Sequence, residues 1–266
     1  MKKTVVLYVV IFLISIFNLC ARDTLSTGKA LNIPCKKYGL SFGNSYEFNG
    51  IRINFADNNV KKINGINVTF WLSKYNNRDA VVNGISFGII PTASRMGLIN
   101  IGVLGVGTSN NNLNGFSFGG LGIGSGGNVN GLSIGGLLIM ADGDSSRISG
   151  ISIAGLGLGA KKTINGIGVA GLIVGTDGDI NGMTTSLIYI SCEKNYRGIA
   201  FTGYLKSYKY SGVAIVGYSR TSQLFGLSVA LYNRTDELHG VQIGLLNYAG
   251  NNPKGLKYLP ALNLHF

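Results

Sequence analysis

The stretch Gly150–Gly159, "GISIAGLGLG", changes phase in its middle. Ile151 and Ile153 share one parity, while Leu156 and Leu158 share the other. Strict alternation gives a strand two distinct faces. A break in that alternation at Gly155 marks either a bulge in a continuing strand or a corner where the chain turns. A bulge suits a sheet that closes on itself. A corner suits a coil.

The same unit recurs along the chain. Aligned on Asn-Gly or its equivalents, it reads NGIRINF (49–55), NGINVTF (64–70), NGISFGI (83–89), MGLINIG (96–102), NGFSFGG (114–120), NGLSIGG (130–136) and SGISIAG (149–155). It continues as NGIGVAG, NGMTTSL, RGIAFTG, SGVAIVG, FGLSVAL, HGVQIGL and KGLKYLP, ending at 260. That makes fourteen copies, with a weaker one at YGLSFGN (38–44) and glycines mostly 13 to 19 apart. With Gly as position 0, positions +1 and +3 are apolar and positions +2 and +4 are mostly small or polar, as in Leu227, Val229 against Ser228, Ala230. Breaker clusters such as "ADGDSSRISG" separate the copies. Glycine there permits positive φ, and Asn before it is a common turn residue.

The composition agrees with an all-β reading. There are 41 glycines in 266 residues, and charged residues make up 13%. Ile, Leu, Val and Phe interleaved with Gly, Ser, Asn and Thr favour strands and turns over helices. Lys2, Lys3 and the apolar run Thr4–Phe17 resemble a secretory signal peptide over 1–21, cleaved near Ala21, with a single β-repeat domain over 22–266. Cleavage takes the formal charge from +12 to +10. Lys61, Lys62, Lys74, Arg78, Arg95, Arg147, Lys161, Lys162, Lys206, Lys209, Arg220 and Arg234 fall near expected turns and read as scattered, solvated cations facing anionic headgroups or glycans. Cys35 and Cys192 remain after cleavage, and an exported location permits their pairing without requiring it.

Two architectures fit. The leading expectation is an antiparallel meander of about 14 strands closed into an outer-membrane β-barrel, with positions +1 and +3 towards lipid and the small positions towards the lumen. Tyr204, Tyr208, Tyr210, Tyr218, Tyr232, Tyr248 and Tyr258 would form aromatic girdles. The ending "YLPALNLHF", with Tyr258, Leu262, Leu264 and Phe266 on one parity, resembles a barrel sorting signal. The alternative is a β-solenoid, with glycines at the corners and Asn ladders along the axis.

Residues 226–266, with the unit Gly240–Asn247 (Gly-apolar-Gln-apolar-Gly-Leu-x-Asn), resemble the surface-repeat proteins of Gram-negative bacteria. The opening "FNGIRINFADNNVKKINGINVTFW" is similar to that family as well. The resemblance implies an outer-surface location and no particular activity or site residue.

Motifs that suggest chemistry dissolve into the repeat. G-x-S-x-G, the nucleophile elbow, occurs at Ser41, Ser86, Ser117 and Ser133, and nearly at Ser152. A nucleophile is used once, so a serine recurring in register reads as a repeat position. Asp142-Gly143-Asp144 and Asp177-Gly178-Asp179 lack the further acidic ligands of a calcium loop and read as turns. Trp71 reads as interfacial or core. The tripeptides Asn67-Val68-Thr69 and Asn233-Arg234-Thr235 match a glycosylation pattern at chance frequency. The expectation is thus a structural or interaction protein of the outer membrane or cell surface, pore formation included, and not an enzyme. No catalytic, cofactor or metal site is expected, the partners are outer-membrane lipid and a surface glycan or protein rather than nucleic acid, and the chain is a monomer. A secreted solenoid adhesin that binds a polymer or host surface is the alternative.

Overall fold

The structure, a computed structural model, describes residues 28–34, 36–72 and 79–266. The expected leader, Cys35, Lys74 and Arg78 lie outside them. There is no helix among the described residues.

Gly155 is a corner. The strand Arg147–Ala154 ends before it, and a short strand, Gly157–Ala160, begins after it. Arg147–Ala154 pairs in parallel with Val129–Gly135 on one side and Thr163–Ala170 on the other. Gly157–Ala160 pairs in parallel with Leu138–Ala141 and Ile173–Thr176. Each copy therefore stacks on the next, and the fold is a β-solenoid in which the middle coils have a long arm, a corner and a short arm. Pairing runs through the corner itself, where the Leu156 amide donates to the Leu137 carbonyl at 2.8 Å. This overturns the antiparallel meander and the closed barrel. A barrel strand has to double back at its turn, whereas here each turn carries the chain onward around a coil.

The glycine of each copy forms a ladder along the axis. Gly115, Gly131, Gly150, Gly166 and Gly182 pair in turn and all have positive φ, between +85° and +129°. A Cβ on Gly131 would lie 2.2 Å from the Gly115 carbonyl oxygen. Glycine is required there twice over, for its dihedral and for the space. Within the continuous extended segment Tyr189–Ala249 the ladder goes on, since a Cβ on Gly212, Gly226 or Gly240 would meet the carbonyl oxygen of the preceding rung.

The two faces of each long arm keep the expected parity, with positions +1 and +3 outward and +2 and +4 inward, but the inward face packs a filled core and lines no lumen. Ile148, two residues before its glycine, is buried, as are Ser152, Ala154 and, on the short arm, Leu158. Ile151 and Ile153 point outward, each more than 40% exposed. The core lies between the arms. It is filled by the column Ile63, Val82, Met96, Leu113, Val129, Ile148, Ile164 and Ile180, and by the short-arm column Val106, Ile123, Ile139, Leu158, Val174 and Ile190. Burying such a side chain contributes about 1.5–3 kcal/mol. Positions +2 and +4 are small because the short-arm side chains press on them. A Cβ on Gly168 would come within 2.7 Å of Leu158 Cδ2, and one on Gly135 within 2.8 Å of Ile139 Cγ1.

An antiparallel strand closes the stack at each end. Ala30–Pro34 runs antiparallel to Tyr38–Gly43, and Tyr258–His265 runs antiparallel to residues 240–248. The ending "YLPALNLHF" is thus a cap and not a barrel seam. The copy KGLKYLP is the turn into it, because Gly255 has open space where the ladder glycines have a carbonyl. The interior turns polar towards both caps. Asn263 accepts from Asn252 at 2.7 Å, and the fully buried guanidinium of Arg52 donates to Asp57 at 2.5 Å and to Asn67 at 2.7 Å.

Candidate interaction surfaces

The outward residues of the long arm form a wall. Leu132, Ile151 and Ile167 pair in one column, and Ile134, Ile153 and Val169 in the next. At the C-terminal cap Leu264 and Leu262 extend the same columns opposite Val241 and Ile243. Corner residues Leu121, Leu137, Leu156 and Leu172 add an exposed apolar edge. An exposed patch that is contiguous and apolar marks an interaction site more often than scattered leucines do. The expected Asn ladder borders the wall on its other side: Asn64 donates to Asn49 at 2.6 Å, Asn83 to Asn64 at 2.9 Å, Asn130 to Asn114 at 2.9 Å and Asn181 to Asn165 at 3.0 Å.

The outward side of the short arm differs. In the middle coils it is nearly bare backbone, with Gly107, Gly124, Gly159 and Gly175 in one column interrupted by Met140. Towards the C-terminus the glycine ladder steps by fourteen residues, through Gly198, Gly212, Gly226 and Gly240. That step brings Lys206, Arg220 and Arg234 into one outward column. They line a groove of about 450 Å³ that also holds Glu193, Tyr208 and Asp236. Beside them Tyr204, Tyr218 and Tyr232 stack face to face, with centroids 4.9 and 5.1 Å apart and ring planes within 11°. These cations are therefore not scattered, and these tyrosines form a single column rather than two girdles. Tyr210 is a core residue, and Tyr248 pairs with Tyr258 at the cap. The shared spacing of fourteen between Lys206, Arg220 and Arg234 is the sequence signal that locates the column.

The residues singled out for chemistry fall elsewhere. Ser41, Ser86, Ser117, Ser133 and Ser152 are all buried at position +2, on the inward side of long-arm strands. The hydroxyls of Ser86, Ser133 and Ser152 have no hydrogen-bond partner. Asp177 pairs with Lys161 at 3.5 Å, and Asp179 accepts from the Asn195 side chain at 2.8 Å. No group of three or more His, Cys, Asp or Glu able to hold a metal occurs among the described residues. Trp71 is exposed and stacks on Phe55 at 6.5 Å. Asn67 and Asn233 of the two glycosylation-like tripeptides are buried. Cys192 is a buried free thiol that donates to the Gly178 carbonyl, and burial pushes its pKa up to about 11. Tyr196, buried against Tyr210, is pushed up to about 12 by the same desolvation.

No family model, no curated protein and no solved structure matches the chain.

Proposed function

We propose that the chain is a non-enzymatic adhesin-like solenoid, exported to the cell surface, that lays its aliphatic wall on a lipid surface. The observation that carries this reading is the pair of outward columns at positions +1 and +3, which stay apolar from coil to coil except at Thr185 although they face away from the core. A rigid flat wall can bury many side chains at once against a bilayer, at about 25 cal/mol per Å² of apolar area removed from water. The formal charge of +10 left after removal of the leader favours an anionic leaflet. The resemblance of residues 226–266 to surface-repeat proteins, and the signal-like start, support the location.

The test is flotation of the purified mature chain with vesicles of anionic phospholipid and, separately, of zwitterionic phospholipid. The expected result is co-flotation with the anionic vesicles, abolished in the double variant Ile151→Lys, Ile153→Lys. Both residues are exposed, so the double variant should fold, with stability lowered by about 1 kcal/mol. Wild-type protein that stays at the bottom of the gradient, or self-associates through the wall instead, rejects the reading.

A further inference from the structure

We propose that the groove over Lys206, Arg220 and Arg234 binds an acidic polysaccharide, a linear chain in which carboxylates are spaced by neutral hydroxyl groups. The site lies on the short arm and does not rest on the lipid-binding role of the wall.

Three cations occupy successive rungs of one outward column, with backbones about 4.8 Å apart. Like charges opposite one another in a sheet are destabilising. None of the three is in an ion pair among the described residues, although Glu193 and Asp236 line the same groove, and the guanidinium carbon of Arg234 lies 5.8 Å from the ring of Tyr248. An anionic ligand lying along the axis relieves that repulsion, and a repeating polymer meets a cation at each rung. The groove gives such a chain about 450 Å³ of space beside its cations.

The other groups select the kind of polyanion. Single-stranded nucleic acid is held by bases stacking on open aromatic faces. Beside the groove both faces of Tyr218 are covered, by Tyr204 and Tyr232, and the one exposed ring lining the groove, Tyr208, is a single platform and not a run of faces for successive bases. Glu193 and Asp236 also line the groove. Carboxylates repel a dense phosphate backbone but accept hydrogen bonds from sugar hydroxyls. Ser191 and Ser222 add further neutral partners.

The experiment titrates the full mature chain into fluorescently labelled alginate, with neutral dextran and oligo-dT as comparators. The expected result is saturable, salt-weakened binding to alginate that exceeds binding to dextran and to oligo-dT. Replacing all three cations, Lys206→Gln, Arg220→Gln and Arg234→Gln, should weaken it by about tenfold or more. The single variant Arg220→Gln should give a smaller loss in a chain disturbed at one exposed position only. Lys161→Gln, outside the groove, should leave the affinity within about twofold. Unchanged alginate binding in Arg220→Gln and the triple variant, alginate binding no stronger than dextran, or oligo-dT bound as tightly as alginate would each overturn the proposal. Vesicle flotation does not bear on this result, so the wall and the groove stand or fall separately.

Discussion

Leu98 stacks on Gly84 in the axial ladder, with φ of +68° in a place where its neighbours are glycine. The copy at 96–102 is thus displaced by one residue from the alignment on its own glycine. Gly97 pairs with Asn83 in the outward Asn column, and Leu98 takes the position that needs positive φ. Its side chain is exposed, so little burial offsets the strained backbone.

Leu98→Gly should therefore stabilise the protein. A left-handed conformation costs a non-glycine residue about 1–2 kcal/mol, and glycine's larger unfolded-state entropy takes back about half of that. A net gain of about 0.5–1 kcal/mol is expected in urea unfolding. A lower midpoint than the wild type would contradict this account. The reverse change, Gly131→Ala, meets the Gly115 carbonyl and should cost about 3 kcal/mol or more.

The buried hydroxyl of Ser133 is unsatisfied, and its place in the repeat makes it a packing residue. Ser133→Ala removes a desolvated polar group with little change of volume. The variant should be as stable as the wild type or gain up to about 1 kcal/mol. A loss above about 1 kcal/mol in denaturant unfolding would show that the hydroxyl has a partner.

Arg52 and Asp57 pair inside the N-terminal coils, where Asp57 also accepts from Asn54 and Thr69. Removing one partner, as in Asp57→Ala, strands a buried guanidinium and should cost about 3–5 kcal/mol. The double variant Arg52→Met, Asp57→Ala should recover part of that loss. A double variant as unstable as the sum of the two single changes would rule out the pairing as the cause.

Tyr196 links stability to alkaline pH. Its phenol has an ordinary pKa of 10 and is held up to about 12 in the folded chain. Below pH 10 the folded and unfolded states are both protonated there, and its contribution is present in full. Between pH 10 and about 12 the unfolded state alone loses the proton, so stability falls as pH rises, by about 1.4 kcal/mol per unit. Tyr196→Phe should flatten that part of the curve of unfolding free energy against pH. An unchanged slope would refute the assignment.

Much of this fold is legible in the sequence. The glycine spacing marks the rungs, Asn before glycine marks the ladder beside them, and the break in alternation at Gly155 marks the corner. What the sequence leaves open is which strand lies beside which. The pattern Ile151, Ser152, Ile153, Ala154 alternates equally well in a barrel strand and in a solenoid coil, because alternation reports two faces and not which of them is covered. The apolar columns at Ile148 and Leu158 hold the missing information. Together they enclose a core between two arms of one coil, and a strand with lipid on one side and a polar lumen on the other has no use for both. The cation column is legible only afterwards: Lys206, Arg220 and Arg234 are fourteen residues apart in the chain, and it is the parallel stacking of successive coils that makes distant residues neighbours on one surface.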